Sequence, residues 1–263
     1  MKSVPYLAGF VMGLAGAAFA AETQPQTARV IVPVVGSVTG VGGARWKTDV
    51  VLRNDLRTEA TVSLSLPTAP DQPVIITSIP PGESLRFADV VNEAFGVESA
   101  ISPLVVETLG NRSITVAATT YAILGTNISA PQPIAVQYGM PFTPFRFLTN
   151  LSFSDEFRTN IGLANLGDAP AEFVLALQRV AGRNLAVSRV SVPPNALLHV
   201  SMQTLFPLIT NGNDFSVLIE TPSADTFVYG SVIENSTNAA RFIQPAIGIP
   251  MQQHAPQMQQ ARQ

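Results

Sequence analysis

Apolar and polar side chains alternate along much of this chain with a period of two. In the segment 46–54, Trp46 and Leu52 fall on one face, whereas Lys47 and Asp49 fall on the other. Such alternation is typical of β-strands that bury one face. The pattern predicts strands at residues 46–54, 60–66, 74–79, 84–87, 104–107, 114–121, 133–136, 157–163, 171–177, 186–192, 197–200, 215–220, 227–233 and 241–244, with short helical turns at 89–95 and 202–206.

The same order of elements occurs twice. The segment 46–54 returns as 157–165, at an offset of 111 residues (157 − 46). Each segment ends on an asparagine, Asn54 or Asn165, whose side chain can bond the backbone of a turn. A repeat of this length fits two copies of one domain, because domains commonly have about 100–150 residues. We therefore predict an all-β fold of two tandem immunoglobulin-like β-sandwiches, with closed barrels as the alternative.

The two ends of the chain differ from the repeats. Residues 1–20 combine Lys2, an apolar stretch and the small-residue site Ala18-Phe19-Ala20, which together are typical of a cleavable signal peptide. The apolar stretch is shorter than the ~20 residues that a membrane span needs, so we expect secretion and no membrane span after cleavage. The predicted organisation is a signal peptide at 1–20, a first sandwich at 29–136, a second sandwich at 140–248 and a disordered Gln-rich tail at 249–263.

Composition narrows the classes of function. The chain has no cysteine, which excludes disulfides, thiolate catalysis and Cys-ligated metals. Its formal net charge is −3, only 13% of its residues are charged, and it has no basic block, so we predict no nucleic-acid partner. We also predict no cofactor. With the signal peptide, these features place the protein in the periplasm or outside the cell.

Few residues are candidates for catalysis. The histidines are His254, in the predicted tail, and His199, which aligns with Arg86 of the first copy. An arginine at the matching position predicts an outward, solvated site for His199 rather than a catalytic base, which needs a fixed partner. Glu107 and Glu220 could act as a pair of carboxylates. Because they are equivalent across the repeat, we expect them to be structural.

A calcium site is the remaining candidate for chemistry on the scaffold. Asn213, Asp214 and Asp225 could supply loop oxygens, which Ca²⁺ prefers. They do not form the closely spaced acidic run of a calcium loop. We therefore interpret them as turn residues and predict no metal.

The start of the second copy is rich in phenylalanine. Five of the 14 phenylalanines lie between residues 142 and 157. Phe142, Phe147 and Phe153 have no aromatic counterpart in the first copy. They are predicted either to pack between the two domains or to form an exposed patch for a protein or glycan partner, since large apolar patches usually mark interaction sites.

Three motifs, two of them present in both copies, carry a resemblance to a known group. They are an aromatic-[Lys/Arg]-Thr-[Asp/Asn] segment leading to Leu-x-Asn, the corners Pro80-Pro81-Gly82 and Pro193-Pro194-Asn195, and the segment 230–235, Gly-Ser-Val-Ile-Glu-Asn. The chain resembles uncharacterised secreted bacterial proteins built from tandem immunoglobulin-like β-sandwich repeats. The resemblance implies an exported, non-enzymatic binding or structural module of the cell envelope or extracellular space. The alternative is a carbohydrate-active accessory protein or hydrolase.

Overall fold

The fold is all-β, as predicted. The computed structural model describes residues 28–69, 71–110, 114–138, 143–179, 184–209 and 211–247. It is 61% strand and 6% helix, and its strands form several antiparallel sheets. The predicted signal peptide and the predicted tail lie outside the described residues. Within the described part, no helix is long and apolar enough to cross a membrane.

Two units follow each other along the chain. The N-terminal unit comprises residues 28–138 and contains β1 Ala28–Thr39, a 3₁₀ turn Val41–Gly43, β2 Arg45–Arg53, β3 Ala60–Ser65, β4 Ile75–Ile79, β5 Ser84–Phe87, α1 Val90–Phe95, β6 Ala100–Thr108, β7 Thr115–Leu124, β8 Asn127–Ile128, β9 Gln132–Ile134 and β10 Gln137–Tyr138. The C-terminal unit comprises residues 143–247 and contains β11 Phe145–Phe153, β12 Phe157–Asn165, β13 Ala171–Gln178, β14 Asn184–Val192, β15 Ala196–Ser201, α2 Met202–Leu205, β16 Gly212–Glu220, β17 Thr226–Glu234, β18 Ala240–Ile243 and β19 Ala246–Ile247.

The strands of the two units pair in the same order. In the C-terminal unit one sheet runs β14-β13-β16-β11-β19 and the other runs β15-β12-β17-β18. In the N-terminal unit the corresponding paths are β4-β3-β6-β1-β10 and β5-β2-β7-β9. Here the long strand β1 also pairs with β2 near its C-terminal end, which joins the two paths into one sheet. Every strand pair among the described residues lies within one unit.

Each unit has its own apolar core. In the C-terminal unit the core is shared by both sheets, since Phe173 and Val217 come from the five-stranded sheet while Ile161 and Val228 come from the four-stranded sheet. The N-terminal core is built in the same way. Two sheets that pack face to face around one core form a sandwich-like arrangement. The core therefore fixes which face of each strand is left to meet solvent or the other unit.

A buried asparagine stabilises the same corner in both units. The side-chain amide of Asn54 donates to the carbonyl oxygens of Thr58, Ile79 and Pro80 at 2.8–3.2 Å. Asn165 donates in the same way to the carbonyl oxygens of Ala169, Val192 and Pro193 at 2.7–3.1 Å. One side chain therefore ties a turn to the following Pro-Pro corner and gives buried carbonyl groups a hydrogen-bond donor.

Short helices follow the fifth strand of each unit, where the helical turns were predicted. Asp89 caps α1 by accepting a hydrogen bond from the backbone N–H of Asn92, and Ser201 caps α2 by accepting from Thr204. Both residue types are favoured at this position because their side-chain oxygens satisfy free N–H groups of the first turn. Gly96 ends α1 in the left-handed region, at a φ of 68°.

The units contact each other through specific strands. In the described structure β6 contacts β15, and β9 contacts β18. Phe242, on β18, packs against the core of the N-terminal unit, whereas its neighbour Ile243 packs against the core of its own unit. The outward face of the four-stranded sheet is therefore the face that meets the N-terminal unit.

Candidate functional site

The outward face of β15, β12, β17 and β18, which we call the junction face, carries an unusual trio of residues. His199 lies opposite Gly162 in the register, and Gly162 lies opposite Tyr229. A Cβ atom at Gly162 would lie 2.0 Å from the Tyr229 ring. The glycine therefore lets the tyrosine ring lie across β12. The Tyr229 hydroxyl and the Nδ1 atom of His199 are 2.8 Å apart and share a hydrogen bond.

Both members of this hydrogen-bonded pair are neutral near pH 7. Burial raises the pKa of the Tyr229 phenol far above its usual value. Desolvation lowers the pKa of His199 from 6.5 to about 4. The imidazole nevertheless keeps an exposed edge, because the strand that carries it borders the cleft, and contact with water there limits the effect of desolvation. The Tyr229 ring is also stacked on Phe242, with 5.6 Å between centroids.

Two further rows of side chains complete the junction face. Asn160 lies opposite Ser231, which lies opposite Phe242. Within the part of the chain that the structure describes, the side chains of Asn160 and Ser231 make no hydrogen bond to protein and line a cavity. Next to the row of Asn160 and Ser231, a further row on the same face contains Arg158 and Ile233. The face is therefore polar along β12 and apolar along β18.

Arg158 is held by neutral partners. One terminal nitrogen donates to the side-chain oxygen of Asn235 at 2.9 Å, and the other donates to Asn238 at 2.7 Å. No ion pair involves Arg158 among the described residues. Desolvation lowers the pKa of the guanidinium, although an arginine stays charged at any physiological pH. The face thus presents a fixed positive charge without a compensating carboxylate.

A cavity of about 230 Å³ lies between the junction face and the N-terminal unit; we call it the junction cleft. The N-terminal unit supplies the opposite wall, which is lined mainly by Val34, Val38, Trp46, Ile101, Thr120 and Ile134. Trp46, the sole tryptophan, packs closely over Gly40, where a Cβ atom would lie 2.6 Å from the indole nitrogen. Apolar groups dominate the lining, and Arg158 is the one cation among the described residues that form it. Such a shape can hold a small molecule with an apolar body.

The corresponding face of the N-terminal unit has a different character. Here Arg86 lies opposite Val51, so it takes the place that His199 has opposite Gly162. The guanidinium of Arg86 bonds the carboxylate of Asp49, with 3.1 Å between Nε and Oδ2. Lys47, at the position equivalent to Arg158, forms an ion pair with Asp89 at 3.1 Å. Lys47 and Arg86 of this face are therefore each paired with a carboxylate.

The structure separates the residues that were predicted as catalytic candidates. His199 faces outward and is exposed, as its alignment with Arg86 predicted. It bonds Tyr229 and lines the cleft, because Gly162 lets the tyrosine reach it. Glu107 lies 3.9 Å from Arg29, and Glu220 is exposed at the end of β16. His254 lies outside the described residues.

Phe147 and Phe153, at the start of the second copy, are not among the described residues that line the junction cleft. Phe153 packs against the core of the C-terminal unit. Phe147 is half-buried on β11, opposite Leu218 and Ala246 in the five-stranded sheet. Phe142 lies outside the described residues. Whether this segment binds a partner stays a prediction.

The predicted turn residues do not gather into a metal site. Asp214 has a φ of 61° on the exposed beginning of β16, and the backbone carbonyl of Asp225 accepts from the N–H of Leu166. Across the described ranges, no group of three or more His, Asp or Glu side chains could hold a metal ion. These residues serve turn geometry where the structure describes them.

Sequence reasoning missed the residues that build the junction face. Gly162 replaces Val51 of the first copy, and Tyr229 replaces Ala117, which is the register partner of Val51. The aligned copies showed that β12 loses a side chain at Gly162 and that the neighbouring strand β17 gains a large one at Tyr229. The signal could be used only once the pairing of the strands was known.

Comparison with known proteins adds no relative. No protein-family model matches the chain, and a search of curated proteins finds no significant match. What the cleft can do therefore follows from its own described residues, which are one cation, several neutral polar side chains and a mostly apolar wall.

Proposed function

We propose that the chain is an exported, non-enzymatic binding module of two tandem immunoglobulin-like β-sandwiches in the cell envelope or extracellular space. One observation carries the binding role: a cleft of about 230 Å³ is lined from both units and is mostly apolar. Pockets of this kind, with a few convergent polar groups, are the usual sites of small-molecule binding. The ligand therefore has an apolar body and is bound where the two sandwiches meet.

Two features support the tandem arrangement. The hydrogen-bonded order of the strands recurs between the units, and the corners built on Asn54 and Asn165 recur with it. Sandwiches of the immunoglobulin type have about seven to nine strands in two sheets, and the described part of the C-terminal unit has nine strands in two sheets. Export rests on the sequence of residues 1–20.

The chemistry of the junction face supports binding rather than turnover. The hydroxyl of Tyr229 contacts His199. Burial raises the pKa of this hydroxyl, so it stays protonated and is a poor nucleophile. The lowered pKa of His199 keeps the imidazole neutral as well. Together the two residues form a packed neutral pair that shapes the wall of the cleft.

A carbohydrate-active role is the second candidate. The observation that favours it is the position of Trp46 beside the cleft that Asn160 and Ser231 also line. Indole rings stack on sugar faces, and amides and hydroxyls bond their hydroxyl groups. An aromatic and apolar ligand fits the lining better, because apolar groups make up most of it.

A ligand screen tests these roles with the protein's own reporter. Since Trp46 is the sole tryptophan, its fluorescence reports on the cleft directly. The purified protein is titrated with small aromatic and aliphatic compounds and, separately, with monosaccharides and oligosaccharides, while the melting temperature and any released product are followed. We expect saturable binding of apolar compounds, a higher melting temperature and no product. Binding of sugars alone, product release, or no response to any compound would contradict the proposal.

A further inference from the structure

We propose that the junction cleft binds a small aromatic carboxylate, with Arg158 holding the carboxylate and the apolar wall holding the ring. The inference rests on the proposed binding function and names the class of ligand.

The positive charge of the cleft favours the binding of an anion. Arg158 is partly buried and lines the cleft, and its two hydrogen bonds go to the neutral side chains of Asn235 and Asn238. A partly buried cation is costly unless it is paired. Since an arginine has five N–H donors in a planar fork, donors remain after these two bonds, and a carboxylate matches that fork.

Comparison of the two units shows that the missing acid is specific to the cleft. In the N-terminal unit the equivalent cation, Lys47, is paired with Asp89, which is also the cap of α1. In the C-terminal unit the cap of α2 is the neutral Ser201. Likewise, Asp49 of the first copy corresponds to the neutral Asn160. The same sheet face therefore keeps its cation but lacks both carboxylates where it borders the cleft.

The size of the cleft limits the ligand to a small ring with one substituent. A cavity of about 150 Å³ in another protein holds benzene, so by proportion one of this volume holds about nine non-hydrogen atoms. With about 230 Å³ available, benzoate fits and a long acyl chain does not. The presence of Trp46 and Phe242 in the lining favours a planar aromatic ring, because aromatic pairs gain from offset or edge-to-face contact.

The neighbours of Arg158 fit a carboxylate too. Asn160 lies two residues further along β12 on the same face, and Ser231 lies opposite it in the register. Both side chains can donate to an oxygen, and neither is used by protein groups in the described structure. The neutral pair of His199 and Tyr229 adds no negative charge that would repel the ligand.

The test compares benzoate with benzamide, its neutral counterpart of the same shape. Binding to the full chain is measured by calorimetry and by Trp46 fluorescence, for the wild type, Arg158→Gln and Arg158→Lys. The matched control is Arg241→Gln, which removes an exposed arginine of the same sheet that bonds the carbonyl of Asn150 and does not line the cleft. A melting curve of each variant shows that it is folded.

We expect benzoate to bind the wild type at least 10-fold more tightly than benzamide, and Arg158→Gln to weaken benzoate by about 10- to 100-fold while leaving benzamide unchanged. Arg158→Lys is expected to retain part of the preference, and Arg241→Gln all of it. Equal binding of benzoate and benzamide, unaffected by Arg158→Gln, would overturn the carboxylate assignment while leaving an apolar binding module. Failure of both compounds, and of every other aromatic compound, to bind would overturn the binding function itself.

Discussion

The equivalent sheet face differs in its charges and in its surroundings between the two units of this protein. In the N-terminal unit, Lys47 and Arg86 are each paired with a carboxylate, and the face is an ordinary charged surface. In the C-terminal unit the equivalent positions carry Arg158 and His199, and the face borders a cleft against the other unit. A few substitutions on a common scaffold therefore distinguish an ion-paired surface from a face that borders a cleft between the two units.

The difference between the two faces depends on a change of side-chain size at one pair of positions on adjacent strands. Val51 and Ala117 are register partners in the N-terminal unit, and Gly162 and Tyr229 replace them in the C-terminal unit. The tyrosine is fully buried, stacks on Phe242 and shares a hydrogen bond with His199 on β15, across the intervening strand β12. A large aromatic side chain thereby covers β12 and gives the junction a rigid wall.

The largest expected effect comes from reversing that exchange. Gly162→Val introduces the side chain of the first copy, but the Tyr229 ring occupies its place, so we expect a loss of about 3 kcal/mol in the free energy of unfolding. Chemical denaturation measures the loss. In a Tyr229→Ala background the same valine is expected to cost less than about 1 kcal/mol, because the clash is gone.

The control for this prediction is Val51→Ile in the N-terminal unit, where the half-exposed position leaves room and the change is expected to stay within about 0.5 kcal/mol. If Gly162→Val were as mild as this control, the Tyr229 ring would not lie over Gly162.

The next effect tests what the units share. Asn54→Ala and Asn165→Ala each leave three carbonyl oxygens without their side-chain donor, so we expect each to cost about 2–3 kcal/mol of stability. Similar losses in the two variants, measured by denaturation of the full chain, would support equivalent corners. A loss in one variant alone would show that the corners are equivalent in geometry but not in energy.

The smallest effect is the dependence of stability on pH. The pKa of His199 is lowered to about 4 in the folded protein from 6.5, so the unfolded chain binds more protons between these values. Stability is therefore expected to be fully present above about pH 6.5 and to fall as the pH drops toward 4. The exposed edge of the ring limits the loss to less than about 1 kcal/mol.

Denaturation curves across this pH range, for the wild type and His199→Gln, measure the contribution of the histidine. The glutamine variant is expected to lack this component of the pH dependence. An identical pH dependence in both proteins would show that desolvation does not lower the pKa of His199.

Most strands could be predicted because each buries one face. The alternation at 84–87 gave β5 with its observed bounds, and β12 was predicted from its first residue. The strands β1 and β11 were not predicted. In β1 the run Val30–Val35 is apolar at nearly every position, and its register with β6 shifts between Val32 and Val35, so a period of two is lost.

The junction cleft could not be predicted, because it exists only where two folded units meet. Ile31 and Val105 illustrate the reason: by alternation they face away from the N-terminal core, yet both are buried. The sequence around them is typical of a sheet that is buried on both faces, but it does not show which part of the protein covers these two residues. The aligned copies showed a cation, Lys47 or Arg158, at the same position of both units. The loss of its carboxylate partner could not be predicted, because the ion pair of Lys47 is a tertiary contact.

The central claim is that the junction face binds an anion because it lacks the carboxylates of its counterpart. Asn160→Asp restores the acid that the first copy has at Asp49, next to Arg158 on the same face of β12. Calorimetric titration of this variant with benzoate and benzamide tests the claim most directly. We predict that benzoate binds at least 10-fold more weakly than to the wild type while benzamide is unaffected, since the new carboxylate repels the anion and pairs with the arginine. Benzoate binding equal to that of the wild type would contradict the account.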